Sequence, residues 1–183
     1  MIEFVHLHNH TDFSLLDGAA PIERYVAKAK EFGMQHLAIT DHGNMFGALE
    51  FYFACRKNGI NPIIGCEFYT NPPSHTDRTP VASGKGYYHL ILLAMNEQGY
   101  KNLMILNSIS YIEGYYYRPR ISDELLKQYN EGLICLSSCL AGEIPQLILA
   151  NDYEGAKERA LFYNSVFDDG RYYLEIQDHG LEE

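Results

Sequence analysis

Short apolar runs alternate along the chain with longer segments whose apolar residues recur at every third or fourth position. Runs of about four to eight apolar residues between turn signals are typical of strands, and the longer spacing is typical of helices that cover a sheet. The pattern therefore predicts strands at residues 3–8, 36–40, 62–69, 87–94, 133–137 and 172–177.

Helices are predicted between these strands. In the first helix, Pro21 is a favourable opening residue, Ile22, Val26 and Ala29 share one face, and Gly33 ends the helix. The last of the five predicted helices starts at a box-like Asn-x-x-Glu pattern at residue 151. The helical segments are residues 21–33, residues 45–57, a segment after residue 94 with Tyr100, Leu103, Met104, Asn107 and Tyr111 on one side, a short segment capped by Ser122, and residues 151–167.

The alternation of strands and helices predicts the fold class. It favours parallel strands joined by helical crossovers, which is the arrangement of an α/β domain. No GxGxxG sequence follows any predicted strand, and this favours a barrel-like fold over a dinucleotide-binding sheet. At 183 residues, with 46% hydrophobic and 13% aromatic residues, the chain is expected to form one domain with a substantial core.

Composition and charge exclude several classes of protein. The first ten residues alternate apolar and polar, and no stretch approaches the roughly 18 apolar residues of a membrane span, so we expect a cytoplasmic protein with no membrane partner. The four cysteines form no CxxC pair and favour reduced thiols. A formal charge of -10 argues against DNA binding by bulk electrostatics and suits a carboxylate-rich site neutralised by cations.

Metal-ligating side chains cluster near the ends of the predicted strands. The segment HLHNHT has histidines at alternate positions, which an extended chain places on one face. Two such imidazoles can bind one divalent cation, and Asp17 in the following loop supplies an oxygen that suits zinc or manganese. Asp41 and His42 end the second strand, and Glu67 lies near the end of the third.

His89 and Cys139 belong to two further strands. Taken alone, a strand histidine is more often packed or solvated, and a buried cysteine more often behaves as a small hydrophobe. Strand ends in a βα barrel converge on one face, however, and five successive strands each deliver an imidazole, carboxylate or thiol. We therefore predict a polynuclear metal site, bridged by Glu67, that suits metal-assisted phosphoester hydrolysis.

Several longer segments carry a resemblance to a known family. HLHNHTDFSLLDGAA, LAITDHGNMFGALEFY, GCEFY, HLILLA and LSSCLAGEI resemble the successive motifs of PHP domains, a family named after polymerase and histidinol phosphatase. The strings SLLDGAAP, NMFGALEFY, NEQGYKNLMILNS and GYYYRPRI are most similar to the PHP domains of bacterial DNA polymerase III alpha subunits. The resemblance extends from the first residue to the last.

The resemblance implies a specific set of site residues. Asp17 and Glu67 would be catalytic, while His6, Asp41 and His179 would support the site, with His179 as an alternative ligand. Two or three zinc, manganese or iron ions would be bound. The implied metal ligands are His8, His10, Asp17, His42, Glu67, His89 and Cys139.

The resemblance also implies a distorted seven-stranded TIM-like (β/α) barrel, with residues 1–183 forming a metal-dependent PHP phosphoesterase domain. The family's last ligand pair, Asp-x-His at the end of a later strand, has no counterpart before residue 183. We therefore expect the barrel to be C-terminally incomplete and to lack that ligand pair.

The implied function is that of the N-terminal domain of a DNA-directed DNA polymerase, with 3'-5' exonuclease proofreading at the metal site. Its partners would be DNA, bound through the full polymerase, and the replicase subunits: a proofreading exonuclease, a sliding clamp and a clamp loader. Magnesium would serve a downstream polymerase site. Two alternatives stay open: an inactive metal-stabilised scaffold that docks a proofreading subunit, and a free-standing phosphoesterase of the histidinol phosphatase type.

Residues 115–120 mix aromatic and basic side chains, namely Tyr115, Tyr116, Tyr117, Arg118 and Arg120. Such a mixture can stack the bases and bind the phosphates of a single strand that enters the site. The alternative is a loop that packs against the rest of a larger polymerase.

Overall fold

The computed structural model describes residues 4–15, 17–72, 74–79, 86–168, 170–178 and 180. Within these residues the chain has a mixed α/β fold. The strands are β1 (His36–Ile39), β2 (Asn61–Thr70), β3 (Tyr88–Ala94), β4 (Arg120–Ile121), β5 (Leu133–Leu136) and β6 (Tyr172–Tyr173). The helices are α1 (Ile22–Glu31), α2 (Ala48–Lys57), α3 (Glu97–Ile112), α4 (Asp123–Gln128), α5 (Glu143–Leu149) and α6 (Tyr153–Val166).

The sheet has the strand order β1-β2-β3-β5-β6, and β4 pairs with β2 away from this path. β1 and β2 are parallel, as are β5 and β6. β3 is antiparallel to both β2 and β5, and Glu67 lies opposite Ile91. The prediction of parallel strands joined by helices is therefore wrong at β3. The described part of the connection between β2 and β3 contains no helix, so the chain returns directly alongside β2.

The first predicted strand is also wrong, because residues 4–8 form no strand. The chain is instead attached just beyond this segment. The N–H of Asn9 donates to Thr40 Oγ1 at 2.8 Å, and the N–H of Thr40 donates to the carbonyl of Asn9 at 2.9 Å. The other five predicted strands form, although β6 ends four residues early, and β4 was not predicted because two residues carry no periodicity.

The helices follow the predicted order with corrected boundaries. α1 begins directly after Pro21, and Gly33 takes the left-handed conformation (φ 70°) that favours glycine. α2 begins at residue 48, three residues later than predicted, and α5 was not predicted at all. The cap of α6 is Asp152, whose side chain accepts from the N–H of Gly155, and not residue 151.

The face that α3 buries matches the predicted one only in part. Leu103 of the predicted face is fully buried together with Leu106, while Met104 and Tyr111 of the predicted face are exposed. Leu103 and Leu106 pack into the main core cluster with Leu92 of β3. Complete burial of each such side chain contributes about 1.5–3 kcal/mol, so this face fixes α3 against the sheet. A second cluster joins α1, α2 and β1 through side chains that include Val26 and Phe51.

An ion network joins the last three helices. Arg159 of α6 makes two hydrogen bonds to Asp123 at the start of α4, at 2.7 and 2.8 Å. Its Nε donates to Glu143 at the start of α5 at 2.8 Å, and the hydroxyl of Tyr163 donates to the same carboxylate oxygen at 2.8 Å. One guanidinium therefore fixes two helix starts to α6.

The cysteines are free thiols, as predicted from their spacing. Cys55, Cys66 and Cys135 are buried, and Cys139 is half-buried. Burial raises the pKa of Cys66 and Cys135, so these two thiols stay protonated and act as small apolar groups. No helix of the described residues is both long and apolar enough to cross a membrane.

Candidate metal centre

The carboxylate of Glu67 lies at the centre of the predicted ligands and is fully buried in β2. Its Oε1 is 3.2 Å from His8 Nε2 and 3.0 Å from His89 Nδ1. Its Oε2 faces His42 Nδ1 and lies 3.9 Å from His10 Nε2. Four histidines from three parts of the chain therefore surround one carboxylate.

The backbone around Asn9 positions the first pair of histidines. Because Asn9 is bonded to Thr40 at the end of β1, the residues on either side of it project towards Glu67. The rings of His8 and His10 lie 5.1 Å apart, edge to face. His6 does not join them: it is exposed, and its ring packs against Phe4. The alternation rule therefore holds for two of the three histidines.

Asp41 holds the loop that carries Asp17. Its buried carboxylate accepts from the N–H of Thr11 at 2.6 Å, from the Thr11 hydroxyl at 2.7 Å and from the Ser14 hydroxyl at 2.6 Å. The turn that follows brings Asp17 Oδ2 to 2.5 Å from His42 Nε2. The hydrogen bonds to Asp41 therefore hold the loop that carries Asp17, which is the supporting role that the resemblance implied.

His89 and Cys139 enter from the other side of Glu67. His89 lies near the start of β3, and its N–H donates to the carbonyl of Ala141 at 3.0 Å. Cys139 follows β5, with its Sγ 3.9 Å from His89 Nδ1 and 4.0 Å from Glu67 Oε1. The antiparallel direction of β3 places its first residues, and not its last, beside the ends of β2 and β5.

The pKa shifts in the cluster follow from burial and from these contacts. Burial alone would raise the pKa of Glu67, but hydrogen bonds from His42, His8 and His89 hold it well below its usual range. Burial alone would lower the pKa of His8, but Glu175 and Glu67 raise it to about 10. Burial would also lower the pKa of His89, but Cys139 and Glu67 raise it to about 9.

The thiol of Cys139 is shifted towards its ionised form. Burial would raise its pKa, but His89 and the backbone N–H of Ala141 lower it below the usual value. A thiolate is the form of cysteine that binds metal. This behaviour separates Cys139 from the three buried cysteines, whose pKa values are raised.

The donor atoms fit divalent cations. Three overlapping groups each bring three ligand atoms within 4.8 Å of one another: His8, His10 and Glu67; His10, Asp17 and His42; and His42, Glu67 and His89. His10 Nδ1 is also buried with no hydrogen-bond partner among the described residues. Imidazole, carboxylate and thiolate together are donors that suit zinc, iron or manganese.

Comparison with known sequences identifies the family. A sequence profile of the PHP domain matches residues 6–179. The chain belongs to the PHP domain family. The match includes all seven predicted ligands, from His8 to Cys139.

Relatives of this PHP domain include the alpha subunits of bacterial DNA polymerase III. That of Treponema pallidum is 56% identical over 182 residues and that of Borreliella burgdorferi is 54% identical over 180, covering 100% and 98% of this chain. The chain spans 16% of the length of each. The fold is similar to that of an amidohydrolase from Chromobacterium violaceum, at a TM-score of 0.52 and 14% identity, covering 95% of this chain and 86% of the other.

Sequence reasoning missed residues of this PHP domain that contact the cluster, among them Glu175 and Ser138. Glu175, after β6, has its Oε1 2.8 Å from His8 Nδ1, which leaves Nε2 of that ring facing Glu67. The hydroxyl of Ser138 donates to Glu67 Oε1 at 2.9 Å. Neither residue belongs to a pattern of spacing that indicates a metal site: one is a lone acidic residue after a strand, and the other is a serine beside a cysteine. His179, the predicted alternative ligand, lies outside the described residues.

The fold places the two arginines of the aromatic and basic segment, residues 115–120, in different environments. Arg120 is buried, and it donates to the carbonyls of Gly114, Gly86 and His75 at 3.2, 3.2 and 3.1 Å. Arg118 instead lines a cleft beside the metal centre. Of the two arginines that the sequence grouped together, one joins loops and one faces the site.

Proposed function

We propose that the chain is the PHP domain of a bacterial DNA polymerase III alpha subunit and that its cluster is a divalent metal centre for phosphoester hydrolysis. The observation that carries this proposal is the convergence of six metal-ligating side chains around the buried carboxylate of Glu67, five of them directly and Asp17 through its contact with His42. The identity to alpha subunits over the whole chain supports the parent protein.

The contacts favour a particular division of ligands. His8 and His10 would share one cation with Glu67, and His42 and His89 would share a second with the same carboxylate, with Cys139 beside His89. His42 and Asp17 form the remaining group with His10. Two or three ions of zinc, manganese or iron fit these donors.

The proposed chemistry is hydrolysis of a phosphoester. Bound divalent cations activate water at neutral pH and compensate the charge on the leaving oxygen. Glu67 would hold the donor groups together, because each of its oxygens faces a different pair of histidines. Asp17 is the exposed carboxylate of the cluster, and we assign it the role of orienting water beside His42.

We infer that the substrate is DNA and that the reaction is 3'-5' exonuclease proofreading within a cytoplasmic replicase. The whole protein would be a DNA-directed DNA polymerase with a separate magnesium site in its remaining length. Its partners would be a proofreading exonuclease subunit, a sliding clamp and a clamp loader. The support for these inferences is the similarity to alpha subunits, of which the chain spans 16%.

We also propose that the fold closes as a distorted seven-stranded barrel. The segment before His10 contacts the end of β1 on one side, through Asn9, and residue Glu175 after β6 on the other. An apolar groove of about 880 Å³ lies beside this segment, lined in part by Leu93 and Leu136 of the sheet. A further strand in the parent protein would cover that groove.

The experiment that tests the function measures metal content and nuclease activity on the same preparations. The protein is purified without chelator or affinity histidines, analysed for metal, and assayed on single-stranded DNA labelled at either end. Two or three ions per chain with release of nucleotides from the 3' end would support the proposal. Bound metal without nuclease activity would contradict the enzymatic part and favour a metal-stabilised scaffold. Absence of metal would contradict both.

A further inference from the structure

A cleft of about 560 Å³ opens beside the metal centre. Asp17, His42 and His89 line its inner end. Clefts of about 300–1,000 Å³ bury ligands the size of one or two nucleotides, so this cleft is too small for a duplex and large enough for the end of a single strand.

The outer part of the cleft is a row of exposed aromatic side chains. The rings of Phe46 and Tyr111 lie 6.4 Å apart, and those of Tyr111 and Tyr115 are stacked at 6.1 Å. Their exposed fractions are 68%, 40% and 57%, and Tyr117 in the same cleft is 76% exposed. A contiguous exposed apolar surface marks an interaction site, and an aromatic row suits planar ligands.

Arg118 connects this row to the metal centre. Among the described residues that line the cleft it is the only lysine or arginine. Its guanidinium lies 5.5 Å from the ring centre of Tyr69, and that ring lies 5.2 Å from the ring of His89. A fixed cation at this position can bind a phosphate next to the one at the metals.

The backbone holds Tyr117 and Arg118 in a defined orientation. Tyr117 has φ 58°, a left-handed conformation that is uncommon for a bulky residue. The N–H of Tyr116 donates to the carbonyl of Arg118 at 3.0 Å, which closes the turn around Tyr117. Strained residues of this kind persist where the surrounding structure enforces them, often in binding sites.

We infer that the cleft binds the 3' terminal nucleotides of single-stranded DNA, with bases stacked on the aromatic row and a phosphate on Arg118. This inference rests on the proposed function. Unpaired bases expose the faces that aromatic side chains stack on, whereas paired bases do not. Arg118 also gives a polyanion one positive contact in a chain whose formal charge is -10.

The test is a binding assay that does not depend on turnover. It uses the longest form of the protein that carries this chain, saturated with manganese, and a fluorescent single-stranded oligonucleotide whose 3' phosphorothioate linkages resist cleavage. Arg118→Ala and Tyr117→Ala are compared with Arg56→Ala and Tyr153→Ala, which remove exposed residues outside the cleft. Tyr117→Phe keeps the aromatic ring and leaves the strain of the left-handed backbone at this position unchanged.

We expect Arg118→Ala and Tyr117→Ala each to raise the Kd by about fivefold or more, the effect of losing one stacked base or one charged contact. Tyr117→Phe and both controls should stay within about twofold, as surface substitutions usually do. Metal content should be unchanged in Arg118→Ala, because this side chain is not among the ligand groups.

Equal weakening by the cleft variants and the controls would overturn the inference, as would unchanged binding in all variants. Unchanged binding is also the result expected if another part of the protein covers the aromatic row. Selectively weaker DNA binding by the cleft variants, in a protein with no nuclease activity, would support the cleft as a DNA-binding site and contradict the proposed exonuclease function. Nuclease activity that does not depend on Arg118 or Tyr117 would support the exonuclease function and contradict the cleft as the DNA-binding site.

Discussion

Glu67 contacts more of the predicted ligands than does any other side chain of the described residues. Its two oxygens face His8, His89 and Cys139 on one side and His42 and His10 on the other. Removal of its charge leaves these donors without the group that they share. Its substitution is therefore the most direct test of the centre.

We predict that Glu67→Gln lowers metal affinity by more than about 100-fold, which exceeds the usual effect of losing a group that only orients a ligand. The amide keeps the volume but lacks the charge that opposes two cations. Elemental analysis and metal titration would measure the loss. Glu50→Gln, an exposed residue of α2, is the matched control. Full metal occupancy in Glu67→Gln would contradict the assignment.

Metal affinity should rise with pH. His8 and His89 have pKa values raised to about 10 and about 9, so in the metal-free protein both carry protons at neutral pH. A bound cation needs neutral imidazoles, and each released proton raises affinity by about tenfold per pH unit below the pKa. Titrations at several pH values should show at least that slope between about pH 7 and 9, and a flat profile would contradict it.

The metal-free protein should show the opposite trend. A histidine whose pKa is raised by folding contributes stability that is fully present below its unfolded value of about 6.5 and is lost as the pH rises through the folded value. Thermal melting in chelator should therefore move to lower temperature between about pH 6.5 and 10. A melting temperature that rises over this range would contradict the raised pKa values.

At the residue scale, the sequence predicted the members of the cluster but not all of their neighbours. His42 and Cys139 follow strand ends, and His8 precedes Asn9, which is hydrogen-bonded to Thr40 after β1. Glu175 was missed because its partner His8 is 167 residues away and no pattern links them. Arg118 and Arg120 could not be distinguished, because only Pro119 lies between them and the turn decides which one is buried.

At the scale of elements, the ion network of Arg159 determines how α4, α5 and α6 pack. We predict that Arg159→Met lowers the free energy of unfolding by about 3–5 kcal/mol, because it leaves Glu143 buried without its cation. Lys101→Met removes an exposed ion pair to Glu97 and should cost less than about 1 kcal/mol. Chemical denaturation would measure both.

The double variant Arg159→Met with Glu143→Gln separates charge from packing. If the uncompensated carboxylate causes the loss, this variant should recover part of it. No recovery would show that the stacking of the guanidinium on Phe162, at 4.3 Å, is the larger contribution.

Element boundaries were predicted better than element directions. Gly33 and Pro21 mark the ends of α1 because their backbone preferences are local. The direction of β3 is not local: HLILLA has the same apolar character whether it pairs parallel or antiparallel. The short β4 and β6 depend on pairing with β2 and β5, which no single segment encodes.

At the scale of the whole molecule, metal binding should stabilise the fold, since the ligands come from separate parts of the chain between His8 and Cys139. A cation at about 100 times its Kd contributes about 2.7 kcal/mol, which corresponds to about 5–10 °C in melting temperature for a chain of this size. Calorimetry with manganese and then with chelator would measure the shift. A shift below about 2 °C at saturation would contradict metal-coupled stability.

The three hydrogen bonds to the Asp41 carboxylate affect the net charge that is available for metal binding at the site. With this carboxylate committed to Thr11 and Ser14, the acidic ligands are Glu67, Asp17 and the thiolate of Cys139. Two dications would carry more charge than these three ligands and would displace the protons of His8 and His89, so loading would make the hollow more positive within an acidic protein. Occupancy by metal would then act as the switch that admits a negatively charged polymer to the cleft.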